Sequence, residues 1–325
     1  MRRVRYDEYG GPEVLKLEDA DIPTPGPGQV LIRTEGIGAN FVDTMIRRGP
    51  SMPAIFHRPL PGKLTGDVVG TVEAVGAAVD AELVGRRVAA LVAEDAFADY
   101  VVADAEWLAT VPDGLDLGAA SMLPMAGPVA LRALRTGRPA AGETVLVHAG
   151  AGSIGHLAVQ LARILGAGTV IATAGSPAKL DFARSCGADV AVDYSAGDWD
   201  DQVRAAAPGG VDVVLDSVGG EVLLRSIGLL APHGRAVVYG VAGGQLTELP
   251  VATVFGLKSV AGFSLMAWRA ADPKQARAEM DEVAGYALDG RLRTAVHARL
   301  PLAEAAEAHR ILDGRAQLGR ILLLP

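Results

Sequence analysis

The sequence predicts an α/β fold in which a doubly wound parallel sheet is accompanied by a second, β-rich domain. Three observations carry that expectation. From about residue 120, short Val/Ile/Leu runs alternate with longer helical patterns, the texture of βαβ units. Six such runs occur, the number of strands in a complete doubly wound sheet. The first third of the chain instead holds short apolar runs broken by glycines. At 325 residues, half of them hydrophobic, two domains with sizeable cores are expected.

Taken in order, "QVLIRTEGIGAN", "GDVVGTVEAVG" and "GRRVAALVA" read as strands, and "DIPTPGPGQ" as a Pro/Gly turn region. The six runs of the parallel sheet are predicted at 144–149, 169–173, 189–192, 211–216, 235–239 and 259–263. A helix is predicted over 273–288, a strand near 294–300, a helix over 302–312, and a terminal strand in "RILLLP".

The stretch "VLVHAGAGSIGHLAVQLA" is the most informative. Val145–Val147 is fully apolar, and Gly150, Gly152 and Gly155 follow in the spacing G-x-G-x-x-G. Ile154, Leu157, Ala158, Leu161, Ala162 and Leu165 then recur at helical spacing. Strand, glycine turn and helix together suit a dinucleotide. The glycines permit the tight turn, the approach of backbone to a pyrophosphate, and close helix–strand packing. The helix then offers unpaired N–H groups and partial positive charge to the phosphate. Gly150, Ala151, Gly152, Ser153, Ile154 and Gly155 are the predicted contacts. A serine hydrolase built on Ser153 is the remote alternative: "AGSIG" nearly matches a nucleophile elbow, but no oxyanion loop precedes it.

An NAD site places an acidic residue about 20 residues further on, at the end of the second strand. Here "TVIATAGSPAKL" ends in Ala174 and Gly175, and Ser176 and Lys179 follow. No carboxylate is present to repel a 2′-phosphate, and a hydroxyl and an ammonium are present to bind one. NADPH is therefore the expected cofactor, with Gly175, Ser176 and Lys179 at its adenosine end. A solvated helix lysine is the other reading of Lys179.

Bulk properties narrow the alternatives. The formal charge is −8 and the basic residues are scattered, which argues against a nucleic-acid surface. No apolar stretch reaches the ~18 residues of a membrane span, and "MRRVRYDEYG" leads into no signal-peptide core, so a cytoplasmic protein is expected. Cys186 is the only cysteine, which excludes an intramolecular disulfide and a multi-cysteine metal cluster. The histidines show no ligand spacing, and His148 in "VHAG" is assigned a packing or backbone hydrogen-bonding role.

With these residues in view, the sequence resembles the medium-chain dehydrogenase/reductase superfamily, specifically its zinc-free quinone oxidoreductase branch, the zeta-crystallin-like proteins. The resemblance covers essentially the whole chain. It rests on "YGGPEVLKLEDADIPTPGPGQVLIRTEGIGANFVDTMIRRG", "GDVVGTVEAVG", the glycine-turn segment, "GADVAVDYS", "DVVLDSVGG" and "GRAQLGRILLLP". It implies a GroES-like domain drawn from both chain ends (1–119 with 265–325) and a Rossmann domain between them (120–264). It also implies Tyr194 and Arg315 as further contacts to the 2′-phosphate. Around the nicotinamide it implies Val218, Tyr239, Gly240, Val241, Phe263, Ser264 and Leu265, with Asn40 and Asp43 on the other domain. Asp43 is equally read as a helix cap. A homodimer formed through the edge strand 259–263 is a further implication.

Zinc-dependent relatives carry a cysteine after the "GIG"-like segment and a Gly-His-Glu at the next turn. This chain has Gly38-Ala39-Asn40 and Thr65-Gly66-Asp67 there, so no metal site is expected. Chemistry without a Lewis acid favours reduction of a quinone or of an already polarised C=C–C=O group. The expected function is thus a zinc-independent, NADPH-dependent reductase of a quinone or enone. An enoyl reductase of a polyketide or secondary-metabolite pathway is the alternative. Two departures bear on the substrate: Met45 and "GPVAL" (127–131) stand where many relatives have tyrosines, which predicts a less polar cleft. Lys63 is read either as a cation for a developing enolate oxygen or as a solvated loop lysine.

Overall fold

A computed structural model describes all 325 residues. Two compact units emerge, Met1–Met125 with Met280–Pro325, and Ala126–Glu279.

In the first unit, β1 (Arg2–Arg5) and β2 (Lys16–Asp19) make an antiparallel ribbon. The Pro/Gly segment then delivers the chain to β3 (Gln29–Ala39), which leads into α1 (Phe41–Arg48). Strands β4 (Gly66–Val75), β5 (Arg87–Val92), β6 (Tyr100–Asp104) and β7 (Ala109–Thr110) follow, then α2 (Leu117–Met122). β3 is buried along nearly its whole length because it has neighbours on both sides: β4 and, over successive stretches, β6 and a strand from the far end of the chain.

The second unit begins with α3 (Ala126–Gly137) and continues as β8 (Thr144–Val147), α4 (Gly155–Ile164), β9 (Thr169–Ala174), α5 (Pro177–Ser185), β10 (Val190–Asp193), α6 (Trp199–Ala206), β11 (Val211–Asp216), α7 (Gly220–Leu229), β12 (Leu230–Val238), β13 (Ser259–Gly262) and α8 (Leu265–Ala271). The sheet order is β10-β9-β8-β11-β12-β13 with every pair parallel, so chain order reverses between β8 and β11. A parallel strand covered on both faces must be apolar on both faces. Val145, Leu146 and Val147 are accordingly without solvent exposure, each contributing about 1.5–3 kcal/mol by burial.

The chain then forms α9 (Pro273–Leu288), β14 (Val296–Pro301), α10 (Ala305–Asp313) and β15 (Arg320–Leu324). β15 enters the first unit's sheet between β14 and β3, giving the order β14-β15-β3-β4-β5-β7 with β6 also on β3. The first unit is therefore closed by both ends of the sequence. No helix is long and apolar enough to cross a membrane.

The predicted strands of the parallel sheet are all present, 211–216 with the same bounds and the others with shifted ends. β12 starts five residues earlier than the apolar run suggested, because the chain leaves α7 directly into sheet and kinks at His233 (φ +67°). β1, β2, β6, β7 and α8 are among the elements that the sequence pattern does not mark. β6 is a five-residue segment whose strand character comes from pairing with β3.

Candidate active site

The glycine turn is built as its spacing requires. Ala149 takes a left-handed conformation (φ +51°), Gly150 N–H donates to Thr173 O at 2.8 Å, and Gly152 N–H to Ala149 O at 2.9 Å. A Cβ on Gly155 would lie 2.1 Å from Ala149 O, and one on Gly150 2.8 Å from Ala172 Cβ, so neither position admits a side chain without movement. At Gly152 the only neighbour of such an atom is Ala149 O at 3.2 Å, which leaves the outer side of the turn open to a close ligand. The amides of Ala151, Ile154 and Gly155 have no acceptor within the chain, and α4 starts at Gly155. Amides without an acceptor, at the positive end of a helix, suit an anion.

At the ends of the neighbouring strands, Gly175 is exposed, and Ser176 precedes α5 without spending its hydroxyl on a cap. Tyr194 follows β10, its N–H donating to Ala174 O at 3.2 Å. Its ring carbon Cε2 lies 3.5 Å from where a Cβ on Gly175 would stand. Ser176, Lys179 and Tyr194 thus belong to one end of the β9–β10 pair. Asp193, at the end of β10, accepts from the N–H and hydroxyl of Ser195 at 2.9 and 2.6 Å.

The ends of β11, β12 and β13 carry the other predicted contacts of this unit. Asp216 Oδ1 accepts from Val218 N–H (2.8 Å) and Gly219 N–H (2.7 Å), and Gly219 and Gly220 both have positive φ. The segment after β12 lies against this turn: Ala242 N–H donates to Ser217 O, Gly243 N–H to Val218 O, and Gly220 N–H to Thr247 Oγ1. Tyr239, Gly240 and Val241 are half-buried at the start of that segment. Burial pushes the Tyr239 hydroxyl up to about 12. Phe263 N–H donates to Val238 O, and Ser264 caps α8, which begins at Leu265.

In the first unit, Asn40 is the residue before α1 and makes no side-chain cap. Asp43 does not cap the helix either. Its carboxylate is wholly buried, with Oδ1 accepting Thr65 N–H at 2.8 Å and Oδ2 accepting the Thr65 hydroxyl at 2.9 Å. Burial raises its pKa to about 7, the two bonds from Thr65 oppose that shift, and the nearby Asp67 carboxylate adds to it. Lys63, two residues before Thr65, is partly exposed and ion-paired with Glu94. Arg315, also in this unit, places its guanidinium 5.1 Å from the centre of the Phe41 ring. Met45 is 3 % exposed and, in the other unit, Leu131 is fully buried, so the two departures expected to make a cleft less polar fall on interior positions.

No three His, Cys, Asp or Glu side chains converge as metal ligands. Asp67 is instead paired with Arg320 at 2.6 Å, both essentially without exposure. The guanidinium lies so close over Gly38 that a Cβ there would be 2.0 Å from it. Thr65, Asp216 and Arg320 are the residues that reading the sequence missed. Only Asp216 gave a local signal, an acid at the end of an apolar strand just before a Gly-Gly turn.

Residues 153–283 match the zinc-binding dehydrogenase family and residues 26–113 the alcohol dehydrogenase GroES-like domain. The chain is 36% identical to a 2-haloacrylate reductase of a Burkholderia species, over 97% of this chain and 96% of that one. It is 36% identical to a quinone oxidoreductase of Pseudomonas aeruginosa, covering 100% and 99%. Among solved structures, a mycobacterial protein complexed with NADPH superposes with a TM-score of 0.89 at 34% identity, over the full length of both chains. The CurK enoyl reductase superposes with a TM-score of 0.88 at 26% identity, over 99% and 98%. A parallel sheet carrying an open glycine turn, a GroES-like unit closed by both chain ends, and full-length likeness to these reductases lead to one assignment: the chain belongs to the quinone oxidoreductase branch of the medium-chain dehydrogenase/reductase superfamily.

Proposed function

We propose that this chain is an NADPH-dependent reductase that delivers a hydride to a quinone or to the β-carbon of an α,β-unsaturated carbonyl compound. The observation that carries the reading is the glycine turn, whose open side and unshared amides fit a pyrophosphate. When bound, NADPH supplies the hydride. The chain's own residues bind and orient. Gly150–Gly155 hold the pyrophosphate, and Ser176, Lys179 and Tyr194 hold the 2′-phosphate. Val218, Tyr239–Val241 and Phe263–Leu265 line the reactive end, since cofactors bind at the carboxyl ends of parallel strands.

On the substrate side, Asn40 is a hydrogen-bonding group and Lys63 a cation for the carbonyl oxygen, on which charge develops as the hydride adds. Glu94 holds the Lys63 ammonium, and Asp43 holds Thr65 at the end of the same short loop. Asp43, with no exposure, acts through Thr65 as a positioning residue. The proton that completes the reduction, on the α-carbon or the quinone oxygen, comes from solvent.

The likeness to the CurK enoyl reductase supports a second reading, reduction of an enoyl group in a biosynthetic pathway. The two readings share a cofactor and differ in acceptor. A third element of the proposal is a homodimer. β13 is paired on one side only, and Leu246, Val251, Phe255 and Leu257 expose apolar side chains in the segment before it. Sedimentation of the wild type and of Phe255→Asp tests this element.

The function is tested by fluorescence titration with NADPH and NADH, then by following nicotinamide oxidation with 9,10-phenanthrenequinone and with a long-chain enone. Preferential NADPH binding with turnover is the expected result, and the faster acceptor selects between the readings. Absence of NADPH binding refutes the cofactor assignment.

A further inference from the structure

Three segments of the second unit carry the proposed dinucleotide contacts: the glycine turn after β8, the end of β9 leading into α5, and the turn between β11 and α7. One residue is bonded to the elements that carry all three. His148, the residue after β8, is wholly buried. Its Nδ1 is 2.8 Å from the Thr173 hydroxyl on β9, and its Nε2 is 2.7 Å from the Ser226 hydroxyl on α7. The ring stands edge-on to Trp199 of α6, with centroids 5.5 Å apart.

The direction of these bonds is fixed. The Ser226 hydroxyl donates to Val222 O at 2.6 Å, so its oxygen is left to accept from the ring. Nε2 must then carry the proton, and Nδ1 must accept from the Thr173 hydroxyl. Burial lowers the ring's pKa, in keeping with a neutral imidazole. One tautomer satisfies every group, and the chain of donors runs from β9 through His148 to α7.

The same residues hold the backbone around the site. The Thr173 carbonyl accepts the N–H of Gly150, the first glycine of the turn, at 2.8 Å. His148 N–H donates to Leu215 O at 3.1 Å, and the next residue, Asp216, holds the Val218–Gly219 turn that opens α7. We propose that His148 is a positioning residue for the dinucleotide, its two directional bonds setting the glycine turn, the 174–179 segment and the 216–220 turn in register. The inference rests on the reading that NADPH binds at these three segments.

Thr173→Val tests it with little change of shape, because it removes the donor to Nδ1 and keeps the volume. Thr173→Ser restores that donor. Titration of the full chain should show the NADPH Kd rising about tenfold in Thr173→Val, the usual effect of leaving a buried acceptor unpaired, and staying within about twofold in Thr173→Ser. Ser226→Ala should weaken binding from the other side of the ring. The rate at saturating NADPH should change little, so that KM moves and kcat does not. ¹⁵N NMR of the His148 ring in the cofactor-free protein should show a protonated Nε2 and a bare, hydrogen-bonded Nδ1, with the Nδ1 shift moved in Thr173→Val. Unchanged NADPH binding in both Thr173→Val and Ser226→Ala, with a normal wild type, overturns the proposal and leaves His148 as core packing. A protonated Nδ1 overturns it independently. A wild type that binds no NADPH refutes instead the reading on which it rests.

Discussion

Asp43→Asn should stabilise the protein, by an amount that grows with pH. The native carboxyl titrates near 7 because it is wholly buried with no cation against it, whereas an unfolded aspartate titrates near 3.8. Between those values the native state holds a proton that the unfolded state has released. Stability therefore falls as pH rises, by about 1.4 kcal/mol per unit. Its contribution is fully present below about 3.8 and lost as pH passes through about 7; across roughly three units the loss is on the order of 4 kcal/mol. Asparagine has the same shape, accepts Thr65 N–H through its oxygen, donates to the Thr65 hydroxyl, and does not titrate. The two proteins should be close in stability near pH 4, and the variant should lead by several kcal/mol at pH 7 and above. Urea unfolding at fixed pH between 4 and 8, with hydrogen exchange followed in peptides of the first unit, measures the difference. A variant that loses stability relative to wild type as pH rises would mean that the anion is the favoured native form, which would refute the burial argument.

Gly155→Ala should abolish NADPH binding in a fluorescence titration while the far-UV spectrum stays native, because the new Cβ would meet Ala149 O at 2.1 Å and displace the turn. Lys179→Ala should weaken NADPH more than NADH, lowering the ratio of their affinities by about tenfold, as removal of one charge-assisted bond to a phosphate requires. Arg320→Met should cost about 3–5 kcal/mol in urea unfolding, because the buried Asp67 carboxylate would lose the guanidinium that faces it.

The parts of this molecule legible in the sequence are those whose signal is local. The run Val145–Val147, the three glycines and the helical stripe after them all lie within one short stretch, so the dinucleotide turn could be read directly. The missing acid after Thr173 was legible for the same reason. Side-chain partners brought together by the fold were not. Asp43 meets Thr65 22 positions away, His148 meets Ser226 78 away, and Asp67 meets Arg320 253 away. No periodicity encodes such pairings. Met45 and Leu131 show the converse: their identity was plain, but their burial depends on which face the tertiary structure covers.

The position of β15 has a consequence for how the chain is made. The first unit's sheet needs β15 against β3, and some 280 residues separate the two strands. At ~5–20 residues per second a ribosome needs roughly 15–60 s to cover that distance. Throughout that interval part of β3 presents unpaired N–H and C=O groups to whatever strand is nearby. The second unit, Ala126–Glu279, lies entirely within the gap, so every strand of its parallel sheet is synthesised in the meantime. The time for which the nascent protein is open to mispairing is therefore set mainly by the length of its other unit.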